Sequence, residues 1–208
     1  MHLRTTPDRP AVRTMTYQQF LDWLDEDTQA EWVEGRVELA SPASRRHQEV
    51  ARFLTTLLSL YLRRRKVGVV IPAPFQCKLG PALPGREPDL SVVLQDRLDR
   101  LHDTWLEGPP DVAVEIVSRE SAGRDRGDKY REYEAAGVGE YWLVDLERGT
   151  VGFFVRGPDG RFRPAPARDA GVFSSTVLPG FGLGASWVLS DRQPDEQTLV
   201  DEMLRQAE

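Results

Sequence analysis

The alternation of apolar and polar positions along the chain predicts four helices. The first begins at Thr16, where Gln19 three residues later completes the pattern of a capping box. The second begins near Ser44 and is long, the third runs from about residue 125 to 136, and the fourth from 194 to 206. One side of the second helix is formed by His47, Val50, Ala51, Leu54, Leu57, Leu58 and Tyr61.

Strand-like segments rich in Val, Ile and aromatic residues lie between these helices. The predicted strands are 67–71, 75–79, 89–94, 111–118 and 140–145, with hairpins over 31–39, turning at Gly35, and over 151–163. Residues 80–88 are predicted to form a loop, and so are residues 95–110, which have room for one helical turn. This order of elements predicts an α/β fold with a mixed β-sheet core flanked by helices.

Length and composition fit one domain of ordinary size with short terminal segments. We expect an N-terminal arm over 1–14, a main domain over 15–190 and a C-terminal helical segment over 191–208. With 40% hydrophobic and 29% charged residues, the composition differs from that of disordered and membrane chains. No signal-peptide pattern or membrane-spanning run is present, and Cys77 has no cysteine partner, so we expect a cytoplasmic protein without membrane contact.

Charge limits the function classes that the chain can serve. The net charge of −6 disfavours broad electrostatic binding of nucleic acid, unless basic residues cluster locally. Only Lys66, Lys78 and Lys129 among the 27 basic residues are lysines. A lysine in a chemically sensible place is therefore informative.

Two carboxylates occupy neighbouring predicted strands. Glu115 stands within an apolar strand, where burial of an unpaired carboxylate would cost several kcal/mol, although it is an ordinary surface residue if that face is solvated. Asp89 follows Pro88, whose fixed backbone can direct the carboxylate inward, although aspartate is also common at strand starts. Together the pair is typical of a site that holds Mg²⁺ or Mn²⁺ with a substrate phosphate.

A third group comes from the following helix. Asp125, Lys129 and Tyr133 recur at intervals of four residues and share one helical face. An Asp-to-Lys surface pair would give the same spacing. Because lysine is rare in this chain, we expect Lys129 to act as a point charge in the site instead.

The combined motifs resemble the Uma-two family of restriction-endonuclease-like proteins within the PD-(D/E)xK nuclease superfamily. The matching segments are Pro88-Asp89, Glu115-Ile116-Val117-Ser118, Asp125-x3-Lys129-x3-Tyr133, residues 137–145, residues 31–35 and His47. The resemblance spans about residues 15–190 and implies a restriction-endonuclease-like α/β core. The resemblance further implies that Asp89 and Glu115 bind the metal, that the Ile116 carbonyl adds a ligand, and that Glu31 is a further acid. Val117 replaces the usual superfamily lysine, so its role passes to Lys129.

The expected function is hydrolysis of a nucleic-acid phosphodiester, with DNA as the expected substrate and a homodimer as the expected assembly. Asp125 and Tyr133 would support the site. His47 and Gln76 are weaker candidates, because a helix histidine is often a packing residue and a strand glutamine often faces solvent. Residues 63–66 either grip phosphate or form a solvated helix end. One alternative function is a nuclease-fold module that binds nucleic acid or protein with little turnover, and another is a purely structural protein that forms dimers.

Overall fold

The computed structural model describes residues 14–25, 28–39, 42–118, 121–166 and 171–206. Apart from Thr14, the expected N-terminal arm lies outside these ranges. The helices are α1 (Tyr17–Trp23), α2 (Arg45–Arg65), α3 (Lys129–Ala136), α4 (Ala185–Leu189) and α5 (Glu196–Gln206). The strands are β1 (Ala30–Val33), β2 (Arg36–Leu39), β3 (Gly68–Pro72), β4 (Gln76–Lys78), β5 (Gly85–Arg86), β6 (Leu90–Leu94), β7 (Trp105–Glu107), β8 (Val112–Val117), β9 (Glu140–Asp145), β10 (Thr150–Arg156), β11 (Phe162–Pro164), β12 (Val172–Ser174) and β13 (Gly182–Gly184).

Local sequence signals set several of these boundaries. The capping box at Thr16 and Gln19 forms as predicted, and the Ser44 hydroxyl accepts the His47 N–H at the start of α2. β1 and β2 join through a two-residue turn in which Glu34 and Gly35 have φ values of 49° and 82°. This left-handed pair is what a tight hairpin turn requires.

The strands form two mixed sheets and one small pair. The six-stranded sheet has the order β11-β10-β9-β8-β6-β3, and only β8 and β9 are parallel within it. α3 lies between these two strands in the chain, which is the usual connection for a parallel pair. The five-stranded sheet has the order β2-β1-β5-β4-β7, and β12 pairs with β13. The predicted α/β fold with a mixed sheet flanked by helices is confirmed.

Both faces of the six-stranded sheet are buried. Val112, Val114 and Ile116 of β8 belong to the larger core, which also includes α2 and α5. Ala113 belongs to a second core with Tyr133 of α3. Because successive side chains of a strand point to opposite faces, Glu115 lies on the Ala113 face, toward α3. The solvated surface position considered for Glu115 is therefore wrong.

The remaining differences from the predicted elements are local. β5 lies within the predicted loop 80–88, and β7 lies within the predicted loop 95–110, which also contains a 3-10 helical stretch, Gln95–Arg100. The predicted third helix begins as a π-helical turn, Arg124–Asp128, which continues directly into α3. No helix in the described part of the chain is both long enough and apolar enough to cross a membrane.

Candidate functional site

Glu115 lies at the centre of a buried cluster of charged side chains. This residue is 3% exposed, and its Oε1 accepts hydrogen bonds from Lys129 Nζ at 2.9 Å and Tyr133 Oη at 2.6 Å. Burial raises the pKa of Glu115 well above its ordinary value, and Lys129 opposes the shift. The environment therefore disfavours an anionic Glu115 unless further positive charge is supplied.

Lys129 brings three carboxylates together at the first turn of α3. Its Nζ lies 2.9 Å from Glu31 Oε1, 2.9 Å from Glu115 Oε1 and 3.5 Å from Asp125 Oδ1. Burial alone would lower the pKa of Lys129, but the three acids raise it well above its ordinary value. We conclude that Lys129 is a buried cation and that the acidic side chains around it outnumber it.

The π-helical turn before α3 helps to position these groups. The Lys129 N–H bonds to the Arg124 carbonyl five residues earlier, one residue more than in an α-helix. Within this turn, Asp125 is fully buried and accepts a hydrogen bond from the Ser121 hydroxyl. Its carbonyl accepts the Tyr141 hydroxyl at 2.8 Å. Asp125, Lys129 and Tyr133 thus face the same site, as their spacing predicted.

Asp89 lies beside Glu115, at the end of the β6–β8 pairing. The last paired residues are Leu90 and Val114, and beyond them Asp89 Oδ2 accepts the Ile116 N–H at 2.6 Å. Pro88 lacks an N–H and cannot extend the ladder. The N–H and carbonyl of one strand residue point toward the same neighbouring strand, so the Ile116 carbonyl is directed to the same side as Asp89.

His47 contacts Asp89 from the first turn of α2. Its Nε2 lies 3.2 Å from Asp89 Oδ1, and its buried Nδ1 has no hydrogen-bond partner within the described ranges. Burial alone would lower the pKa of His47, but its hydrogen bond to Asp89 raises it. His47 therefore faces the site and does not serve only as a packing residue.

Gln76 is buried, and hydrogen bonds through Glu87 and Glu31 link it to Lys129. Its Nε2 donates to the Ala30 carbonyl at 2.7 Å and to Glu87 Oε2 at 2.6 Å. Burial, with Glu31 nearby, raises the pKa of Glu87 to about 7. The solvent-facing alternative for Gln76 is wrong because β4 lies within the five-stranded sheet, between β5 and β7.

Arg86 is a buried residue of the site that the sequence did not reveal. Its Nη1 donates to Glu31 Oε2 at 2.9 Å, while Nε and Nη2 hold Glu132 at 2.7 and 2.9 Å. Glu31 Oε1 also accepts the Glu87 N–H at 3.1 Å. Although burial would raise the pKa of Glu31, Lys129 and Arg86 lower it, so Glu31 is an anion. The only sequence signal was the closeness of Arg86 and Glu87 to Asp89.

A cleft of about 430 Å³ opens onto these groups. Its walls come from the β1–β2 hairpin, the first half of α2, the turn after β3 and the segment before α3. Among its lining residues are Glu31, Glu38, His47, Arg52, Asp89, Glu115, Arg124 and Lys129. The cations at 63–66 are not among the described residues that line it, and Arg64 pairs with Asp201 of α5. The solvated helix end is the better description of that segment.

The donor set was tested against a divalent cation. In the described part of the chain, no three side chains of His, Cys, Asp or Glu are placed to hold a metal ion by themselves. The available oxygens are those of Asp89 and Glu115, together with the Ile116 carbonyl, which would leave the other positions to water and substrate oxygens. Hard cations such as Mg²⁺ prefer this chemistry, and the excess of buried acids provides the charge. The residues present therefore fit such an ion.

Comparisons with known proteins agree with this fold. A solved structure, described as a putative nuclease belonging to DUF820 from Anabaena variabilis, superposes with a TM-score of 0.69 over 84% of this chain and 97% of that chain, at 17% identity. This likeness shows the fold. No curated protein matches the chain. The model of the Uma2 family, described as "Putative restriction endonuclease", matches residues 17–186. Because the match covers most of the sequence, the chain belongs to the Uma2 family.

Proposed function

We propose that the chain is a metal-dependent endonuclease that hydrolyses nucleic-acid phosphodiester bonds, with DNA as the first substrate to test. The observation that carries the proposal is the meeting of Asp89, Glu115 and Lys129 in one cleft, where Lys129 Nζ and Glu115 Oε1 are 2.9 Å apart. Membership of a family described as "Putative restriction endonuclease" supports the same chemistry.

Asp89, Glu115 and the Ile116 carbonyl would hold Mg²⁺ or Mn²⁺. Bound there, the ion would supply positive charge at the scissile phosphate and lower the pKa of a coordinated water. Lys129 would stabilise negative charge that develops on the phosphoryl oxygens. Glu31 would keep the Lys129 ammonium in place, through the contact of 2.9 Å.

Two further side chains would orient the carboxylates. His47 contacts Asp89 Oδ1, and Tyr133 donates to Glu115 Oε1, so each limits the rotation of one candidate ligand. Gln76 and Asp125 would act at greater distance, Gln76 through Glu87 and Asp125 through Lys129. None of these four residues needs to touch the substrate for the site to work.

The test is incubation with single- and double-stranded DNA and RNA in the presence of Mg²⁺ or Mn²⁺. Cleavage should be abolished in Asp89→Asn and Glu115→Gln and strongly reduced in Lys129→Met, while it should be retained in Asp201→Asn, a surface control on α5. Circular dichroism and thermal melting would show whether each variant is folded. Undiminished cleavage in folded active-site variants would exclude this assignment.

The net charge of −6 favours a second candidate, a nuclease-fold module that binds nucleic acid or protein with little turnover. Calorimetry separates the two candidates. Binding of Mg²⁺ or Mn²⁺ that disappears in Asp89→Asn supports the enzyme, whereas a folded wild-type protein that binds neither ion supports the module. Analytical ultracentrifugation would test the proposed homodimer independently.

A further inference from the structure

Arg124 has an unusual environment at the mouth of the cleft. It belongs to the π-helical turn and lines the cleft together with Asp89, Glu115 and Lys129. Its Nη1 lies 3.4 Å from Glu38 Oε2, and the two side chains are 33% and 35% exposed. Its Nε is buried and has no hydrogen-bond partner among the residues that the structure describes. Among the described residues, Glu38 is thus the only hydrogen-bond partner of this guanidinium, and its other N–H groups are not committed to the fold.

Two other arginines near the cleft make more hydrogen bonds than Arg124 does. Arg126, on the same turn, donates to Asp145 through both Nε and Nη2. Arg86 uses Nε, Nη1 and Nη2 on Glu31 and Glu132. These two side chains have structural partners, whereas the Arg124 side chain has a single long contact among the residues that the structure describes. A structural role explains Arg86 and Arg126 and leaves Arg124 unexplained.

Glu38 can release Arg124 without becoming an isolated charge. Its Oε2 also lies 3.5 Å from Nη1 of the buried Arg86. If Arg124 turned toward a ligand in the cleft, Glu38 would retain this second partner. The ion pair between Glu38 and Arg124 is also partly exposed, and such pairs contribute little to stability. Exchange of partners at Arg124 is therefore energetically accessible.

We propose that Arg124 binds a backbone phosphate next to the scissile one, and that Glu38 occupies the place of this phosphate while the cleft is empty. The proposal rests on the phosphodiesterase function proposed above. A guanidinium presents its N–H groups in a planar fork that matches phosphate oxygens, which makes arginine a favoured phosphate ligand. The contact carries no sequence information, because every nucleotide has the same phosphate.

This arrangement explains how an acidic chain could still hold a polyanion. Binding depends on where the cations lie, and here Lys129 and Arg124 line the same cleft. Glu38 would act as a competitor that any anionic strand must displace. Removal of Arg124 should therefore weaken binding, and removal of the Glu38 charge should strengthen it only while Arg124 is present.

The experiment measures fluorescence anisotropy of a labelled DNA duplex and of its separate strand, with Ca²⁺ replacing Mg²⁺ so that cleavage does not intervene. The variants are Arg124→Gln, Glu38→Gln, their double mutant and Arg148→Gln, a control whose side chain is 65% exposed on the β9–β10 turn. We expect Arg124→Gln to weaken binding about tenfold and to reduce the slope of log K against log salt by about 0.9 on the duplex and about 0.7 on the strand.

The double mutant tests the exchange of partners. Glu38→Gln should tighten binding several-fold, and this gain should vanish when Arg124 is also replaced. In Mg²⁺, Arg124→Gln should raise KM while kcat stays near the wild-type value, as expected for a contact made equally in ground and transition states.

The inference and the proposed function can fail separately. If the wild type cleaves, but Arg124→Gln has the affinity and salt slope of Arg148→Gln, the inference is wrong and the function stands. A Glu38→Gln gain that persists without Arg124 would also overturn the exchange of partners. A wild type that binds but does not cleave refutes the function, and the salt slope still decides the role of Arg124. A wild type that neither binds nor cleaves refutes both.

Discussion

Replacing Lys129 with methionine would remove the ammonium group that contacts three buried carboxylates. Lys129 is 5% exposed, and methionine has a similar length without the charge. Loss of one partner from a buried ion pair typically costs about 3–5 kcal/mol, because the remaining charge has neither water nor a counter-ion. We expect a loss in this range in the free energy of unfolding at neutral pH.

The three acids around Lys129 would not be destabilised equally by the loss of the ammonium group. Glu31 keeps its contact with Arg86 at 2.9 Å, and Asp125 keeps the Ser121 hydroxyl. Glu115 keeps the Tyr133 hydroxyl but has no other ion pair within the described ranges. Glu115 should therefore account for most of the loss. The double mutant Lys129→Met/Glu115→Gln should recover about 2 kcal/mol, a coupling in the range observed for contacting residues.

The loss should also depend on pH. Burial already raises the pKa of Glu115 in the wild type, and removal of the ammonium raises it further. A carboxyl whose pKa is higher in the folded than in the unfolded protein contributes to stability at low pH. This contribution is complete at pH values below the pKa of the group in the unfolded chain, about 4.3. The contribution is lost as the pH rises toward the pKa of the carboxyl in the folded protein. Lys129→Met should therefore be less destabilised near pH 5 than near pH 8.

Urea denaturation at several pH values, followed by tryptophan fluorescence, measures these differences. Trp142 is fully buried in the core and provides a suitable signal. Arg64→Met is the matched control, since its pair with Asp201 is about half exposed and should be worth about 1 kcal/mol or less. The reasoning fails if Lys129→Met costs no more than this control, or if its loss is the same at pH 5 and pH 8.

Three further predictions concern other parts of the chain. Glu140→Ala should lower the free energy of unfolding, measured by urea denaturation, by more than about 3 kcal/mol. The reason is that the buried carboxylate accepts hydrogen bonds from Trp142 and from three residues of segment 175–177. A loss below about 1 kcal/mol would contradict this expectation. Burial raises the pKa of Cys77 to about 12, so a thiol reagent at pH 8 should label the unfolded chain quickly and the native protein only as fast as it opens; immediate native labelling would refute it. Mn²⁺ at about ten times its Kd should stabilise the wild type by about 1.4 kcal/mol in thermal melting, and equal stabilisation of Asp89→Asn would exclude the proposed site.

The sequence predicted the convergence of Glu115 and Lys129 because a simple local rule applies to each residue. A charged residue within an apolar strand requires a partner, and spacing by four aligns Asp125, Lys129 and Tyr133 on one helix face. Both rules are local, and the cluster satisfies both. The order of strands and helices also indicated the fold class correctly.

The partners of Glu31 could not be predicted in this way. Arg86 and Glu87 lie in a segment rich in Pro and Gly, where no periodicity distinguishes a buried strand from a loop. Their burial results from the pairing of β5 with both β1 and β4, which are distant in the chain. The burial of Gln76, which was only a weaker candidate, could not be predicted for the same reason. Its environment is set by neighbouring strands, and its own segment carries no sign of them.

The π-helical turn also restricts which insertions and deletions the chain can accept. Loss of one residue between Gly123 and Asp128 would let the segment close into a regular α-helix, which is locally favourable. It would also rotate everything before the deletion by about 100° relative to Lys129, since an α-helix has 3.6 residues per turn. The Tyr141 contact with Asp125 could not survive such a change. Over evolution, the length of this turn should therefore be more constant than the identity of its exposed residues.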